Sequence, residues 1–242
     1  MKLPRFAVFL ILALPHQPGR AQTDIFADPE NLQILPQDIA PAELRSTMRQ
    51  FAMGLGVRCE TCHLGEAGQD LSTFDFASDE REEKRVAREM MKMVASINGD
   101  HLARLDKPDT TRVQCVTCHR GVRNPRLSGD VLGKALADGG FDNLESTYRK
   151  LRDRYYGSHS YDFSPGVLAG LAQNTGLGGD LDTAVAILEL NLEYSPRDFQ
   201  THFLLGEVHL RREDKAAARK HYEEALGIMP NPMVQRRLQE LE

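Results

Sequence analysis

The stretch RCETCHLG at 58–65 returns as QCVTCHRG at 114–121, and these two copies hold every cysteine of the chain: Cys59, Cys62, Cys115 and Cys118. Two thiols three residues apart, with an imidazole directly behind, admit few structural uses. As disulfides such pairs would be strained and would close almost no chain. As one four-thiolate zinc site they stand too far apart, because ribbons and fingers place their pairs across a much shorter interval than Cys62 to Cys115. As thioredoxin-like redox pairs they would need a βαβ surround, and the patterning of this sequence is helical.

The reading that uses all six residues is C-x-x-C-H attachment of c-type haem. On a helical turn both cysteines can form thioethers to haem vinyl groups while the next residue projects its imidazole at the iron. The chain is therefore expected to carry two haem c groups, held by Cys59 with Cys62 and by Cys115 with Cys118. His63 and His119 are the proximal iron ligands.

What the iron does depends on its opposite face, where a Met or a second His favours electron transfer and an open face permits catalysis. Helical patterning ahead of each motif supplies candidates. In PAELRSTMRQFAMGLGVRC, Leu44, Met48, Phe51, Ala52 and Leu55 share one face, with Pro41 suited to the first turn and Gly54 and Gly56 at the end. Met48 lies on that stripe and Met53 off it. In SDEREEKRVAREMMKMVASINGDH the stripe is Val86, Met90, Met93, Val94 and Ile97, with Met91 pointing away and Asn98 and Gly99 closing the helix. The pattern leaves Met90 and Met93 equally open, and core packing is the ordinary use of such methionines.

TMRQFAMGLGVRCETCH, and VAREMMKMVASING leading to VQCVTCHRG, resemble the repeating unit of the cytochrome subunit of photosynthetic reaction centres and its multihaem relatives. In that family a helix bearing an axial methionine is followed by a turn and a short C-x-x-C-H helix. The resemblance covers about residues 40–125. It implies Met48 as the sixth ligand of the first haem and Met90 as that of the second. Two units stand here where the reaction-centre subunit commonly has four, and the Met90-to-Cys115 interval is longer than that from Met48 to Cys59. The longer interval leaves His101 as an alternative axial ligand of the second haem. Arg120, directly behind His119, is either a partner for a haem propionate or a plain surface charge.

The first residues, MKLPRFAVFLILALPHQPGRAQT, place Lys2 and Arg5 ahead of an apolar run from Phe6 to Leu14 that is too short to span a bilayer, the layout of a secretory signal peptide cut near Ala21. No cysteine follows that run to carry a lipid anchor. The mature protein is expected to be periplasmic, exported in the Gram-negative manner, without a stable membrane span. The formal net charge is −5, and loss of Lys2, Arg5 and Arg20 with the leader makes the remainder more acidic, which argues against nucleic acid as a partner.

Cysteines stop after Cys118. A helix is expected from about Asn143 to Tyr155. Beyond it, two stretches align at a spacing of 34 residues, Leu171 with Leu205, Ala184 with Ala218, Leu188 with Tyr222 and Pro196 with Pro230. That is the tetratricopeptide period, with Gly206, Ala218, Tyr222, Ala225 and Pro230 at its offsets. NPMVQRRLQELE reads as a capping helix. The core should come from Leu168, Leu171, Ala184, Leu188, Leu205, Ala218, Tyr222 and Ala225. His202, His209 and His221 read as surface or packing residues.

These readings combine into an all-α chain with a signal peptide at 1–21, a dihaem cytochrome domain of helix and C-x-x-C-H-helix units at 22–130, a linker with one helix at 131–160, and a short tetratricopeptide-like array at 161–242. The expected function is electron transfer between redox partner proteins, docked through the array. The alternatives are a dihaem peroxidase with one five-coordinate haem, and a repeat scaffold whose haems sense redox state.

Overall fold

A computed structural model describes residues 24–105 and 112–242; the expected leader lies outside them. Every regular element of the described residues is helical, apart from a single antiparallel bridge between Leu64 and Asp75. The fold class is all-α.

Helix α1, Pro41–Leu55, opens with proline at its start, where the missing N–H is no loss, and closes on Gly56. Gly56 is left-handed (φ +64°), and its N–H reaches the carbonyls of Ala52 and Met53. The first motif then forms the single turn α2, Cys59–Cys62. The loop behind it buries Phe74, which stacks on Phe76, and is tied further by polar contacts. Lys84 donates to the carbonyls of Phe76, Ala77 and Ser78 at 2.8, 3.1 and 2.7 Å. Asp79 receives Arg88 at 2.8 Å, Asn31 at 3.0 Å and Lys84 at 3.1 Å. Arg88 first, then Asn31, holds the Asp79 carboxyl well below the usual carboxylate range.

Helix α3, Glu82–Ser96, runs into a π-helical turn at Ile97–His101. The second motif forms α4, Cys115–His119. Asn98 clamps the residue two places before Cys115, donating to Val113 O at 2.9 Å and accepting from Val113 N at 2.8 Å. The packing crosses over between the two units: α1 lies on α4, and α2 lies on α3.

The helix expected from about Asn143 to Tyr155 is present, and a further helical segment precedes it from Ser128. Helix α5, Ser128–Tyr155, is broken by Gly139 and Gly140, the latter at φ +69°. Helices α6 (Pro165–Leu177), α7 (Leu181–Tyr194), α8 (Phe199–Arg211), α9 (Lys215–Ile228) and α10 (Pro232–Gln239) follow, with α6 packed on α7 and α8 on α9. Asp180, Asp198, Asp214 and Asn231 each accept a backbone N–H in the first turn that follows, so one capping device starts four helices. Within the stretch expected as a linker, Leu132, Leu144 and Tyr148 are buried in one core with Leu168, Leu188 and Leu205.

Of the aligned positions, Ala184 with Ala218 and Leu188 with Tyr222 are all wholly inaccessible, whereas Leu171, expected in the core, is half-buried where its counterpart Leu205 is wholly inaccessible. The second hairpin shows why its pair differs from the first. A Cβ on Gly206 would lie 2.4 Å from the Tyr222 ring, so the large ring requires glycine opposite it. The first hairpin, with the smaller Leu188, carries Ala172 at the corresponding place.

His202 is buried, with Nε2 at 3.1 Å from Pro196 O and Nδ1 at 3.2 Å from His221 Nδ1. The Pro196 carbonyl only accepts, so neutral His202 carries its proton on Nε2 and receives His221 Nδ1–H. Burial, then the neighbouring His202 and His209, lowers the His221 pKa to about 4 from 6.5. Because the folded value lies below the unfolded one, the unfolded chain binds the extra proton. The contribution of His221 to stability is complete above about pH 6.5 and is lost as pH falls towards 4. Urea midpoints of the C-terminal helices should therefore drop between pH 7.5 and 4.5, and His221→Gln should flatten that dependence.

Candidate haem site

One continuous cavity of about 620 Å³ lies between the two motifs. Helix α1 contributes Leu44, Met48, Phe51, Ala52 and Leu55, which is the apolar stripe read from the sequence. Helix α3 contributes Val86, Ala87, Met90 and Met91. The motifs contribute Cys59, Cys62, His63, Cys115 and His119. All four cysteines are free thiols. Burial raises the Cys62 and Cys115 pKa values, Glu83 adding to the effect at Cys62, so both are uncharged at neutral pH.

The two imidazoles are held differently. His63 stands edge-on to Phe76 with ring centroids 4.9 Å apart, and its Nδ1 is buried without a hydrogen-bond partner. Burial, then the charge of Lys84, lowers its pKa and keeps the ring neutral, the form that can donate a lone pair. His119 Nδ1 lies 3.0 Å from Val122 O. A carbonyl can only accept, so Nδ1 carries the proton and Nε2 presents its lone pair, the usual posture of a metal-ligating histidine.

Several residues singled out from the sequence stand elsewhere. His101 is exposed on the π-helical turn and does not line the cavity. Met93 is 43% exposed. Cys118 is exposed and does not line the cavity. Arg120 does not line the cavity either; its guanidinium donates to His159 O at 3.2 Å, and its own carbonyl receives Ser160 Oγ at 2.6 Å. The cations on the cavity wall are instead Arg58, Lys84, Arg88 and Arg123, the last paired with Glu83 at 3.2 Å. Met91, expected to point away, lines the cavity beside Met90, because the wall curves around α3 and uses more than a single stripe.

This donor set fits covalent haem. Three of the four thiols line the cavity with both imidazoles, Met48, Met90 and Met91 present thioether sulfurs to it, and the walls are largely apolar; of the wall cations Lys84 and Arg88 are held by Asp79 and Arg123 by Glu83, which leaves Arg58 as the one suited to a carboxylate of the group.

Residues 29–128, less than half of the chain, match the family model of the photosynthetic reaction centre cytochrome C subunit. A 109-residue stretch is 32% identical to cytochrome c-554 of Chloroflexus aurantiacus (strain ATCC 29366 / DSM 635 / J-10-fl), covering 45% of this chain and 24% of that protein. The chain thus spans about a quarter of the length of this curated relative.

Proposed function

We propose that the chain is an exported dihaem electron carrier. Cys59 with Cys62, and Cys115 with Cys118, would hold the two haems, His63 and His119 would supply an imidazole to each iron, and Met48 and Met90 would supply thioether sulfurs. Haem supplies one-electron exchange between ferric and ferrous iron. The chain's own work would be to present the imidazole and thioether donors, to exclude water with Phe51, Leu55, Phe74 and Phe76, and to set the donor strength of each imidazole. The observation that carries the reading is the convergence of Met48, Met90, His63 and His119 on one cavity. A thioether available for each haem favours an electron carrier over a peroxidase, which needs a vacant iron face. The leader supports a periplasmic location, and among the described residues no helix is long and apolar enough to cross a membrane. The tetratricopeptide-like hairpins serve as the docking element for a redox partner.

Met91 is a second candidate for the distal ligand of the second haem, because it lines the same wall as Met90. Low-temperature spin-state spectra of the loaded protein test the assignment. Met48→Ala and Met90→Ala should each turn one haem high-spin and lower its potential, since loss of the thioether removes a preference for ferrous iron. Met91→Ala and His101→Ala should leave both haems low-spin. A high-spin signal from Met91→Ala or His101→Ala, with none from Met90→Ala, would move the second distal ligand to that residue.

A further inference from the structure

We propose that helix α1, which leads into the first motif, positions the axial histidine of the second. This inference rests on the assignment of His119 as an iron ligand. The link is a short series of backbone contacts. Gly121 N donates to Gly54 O at 2.8 Å, joining the end of α1 to the turn behind His119. That turn reverses through Arg120 at φ +49° and Gly121 at φ +80°, and Val122 N donates back to His119 O at 2.9 Å. The reversal brings Val122 O to His119 Nδ1 at 3.0 Å. Gly54, in the first unit, thereby anchors the carbonyl that fixes the tautomer and orientation of the ligand in the second.

The approach depends on two missing side chains. A Cβ on Gly56 would stand 2.0 Å from Gly121 O, and one on Gly54 would stand 3.2 Å from Val116 N in the second motif. Gly121 differs: a Cβ there meets nothing nearer than Met53 O at 3.9 Å, so its requirement is the left-handed backbone and not space. His63 has no corresponding bond, its Nδ1 being unpartnered. The two sites are thus unequal by construction. A hydrogen bond on the far nitrogen raises the donor strength of a ligating imidazole, which favours ferric iron.

Gly56→Ala in the haem-loaded full chain is the direct test, read by electron paramagnetic resonance and by potentiometric titration of each haem. Signals are assigned with the Cys59→Ala/Cys62→Ala variant, which lacks the first haem. Gly56 lies three residues before Cys59, so a merely local effect would fall on the first haem. The expected result is an upward shift in the potential of the second haem with an altered low-spin signal, the first haem remaining as in the parent. A shift confined to the first haem, or none, overturns the inference. Where Gly56→Ala does not accumulate, Gly121→Asn and Gly121→Val decide, since asparagine tolerates a left-handed backbone and a β-branched residue does not. Asn should preserve the second haem's potential and Val should shift it; equal values in the two variants overturn the inference. Failure of the parent protein to take up haem at Cys115 and Cys118 would instead overturn the assignment beneath it.

Discussion

Replacing Tyr222 with alanine is expected to destabilise the second helical hairpin by about 3–5 kcal/mol, the range for removing a buried aromatic ring. The ring is wholly inaccessible and packs directly over Gly206. Its hydroxyl donates to Glu207 at 2.6 Å, and Arg237 grips the same carboxylate at 2.8 and 3.0 Å, tying α10 to α8. Deleting the ring opens a cavity that Gly206 cannot fill. It also leaves Glu207 with one partner fewer, so the cost should lie at the upper end of the range. Circular dichroism during urea unfolding should show early loss of helix. None of these residues lines the haem cavity, so the visible spectrum should match that of the parent throughout the first transition. Loss of the haem spectrum together with the helical signal would mean that the two halves unfold as one unit.

The second large effect concerns the motifs. Cys115→Ala/Cys118→Ala should remove one covalent haem and leave the other, and Cys59→Ala/Cys62→Ala should do the reverse. The shared cavity makes each loss felt by the remaining site. Met48, Met90, His63 and His119 line one space, and α1 rests on α4 while α3 rests on α2. Removing one haem takes away apolar contacts that bear on both units; the thioether tether persists in the unfolded chain, so what is lost is the burial and iron ligation made only on folding. Each single-haem variant should therefore melt below the parent, read from the Soret band on heating. Unchanged melting of the remaining haem would show that the two sites are energetically separate.

Much of this architecture was legible because it rests on short-range chemistry. Both C-x-x-C-H motifs, the proline and glycine that bound α1, and the stripe from Leu44 to Leu55 are local signals, and the stripe lines the cavity as its periodicity indicates. The 34-residue spacing pairs Ala184 with Ala218 and Leu188 with Tyr222, all four buried, but it also pairs Leu171 with Leu205, of which only Leu205 is buried. What escaped depends on contacts distant in sequence. The helical segment of 128–138 escaped because Gly139 and Gly140 separate it from the expected helix, although Leu132 and Leu144, on either side of them, reach one core. Met91 was assigned outward because a single stripe was taken as the buried face, whereas the cavity wraps around α3. Arg120 was read from its place beside His119, but its left-handed backbone turns it towards His159 and Ser160, residues that no local pattern connects to the motif. The approach of Gly56 to Gly121 was equally invisible, since helix ends commonly carry glycine whatever they touch.

The central claim is that both motifs carry covalent haem, and the intact mass of the full-length chain, expressed with haem-maturation machinery and analysed after denaturation, tests it most directly. The account predicts two haem additions that survive denaturation, falling to one in either double-cysteine variant. Free, alkylatable thiols at Cys59, Cys62, Cys115 and Cys118 would contradict it.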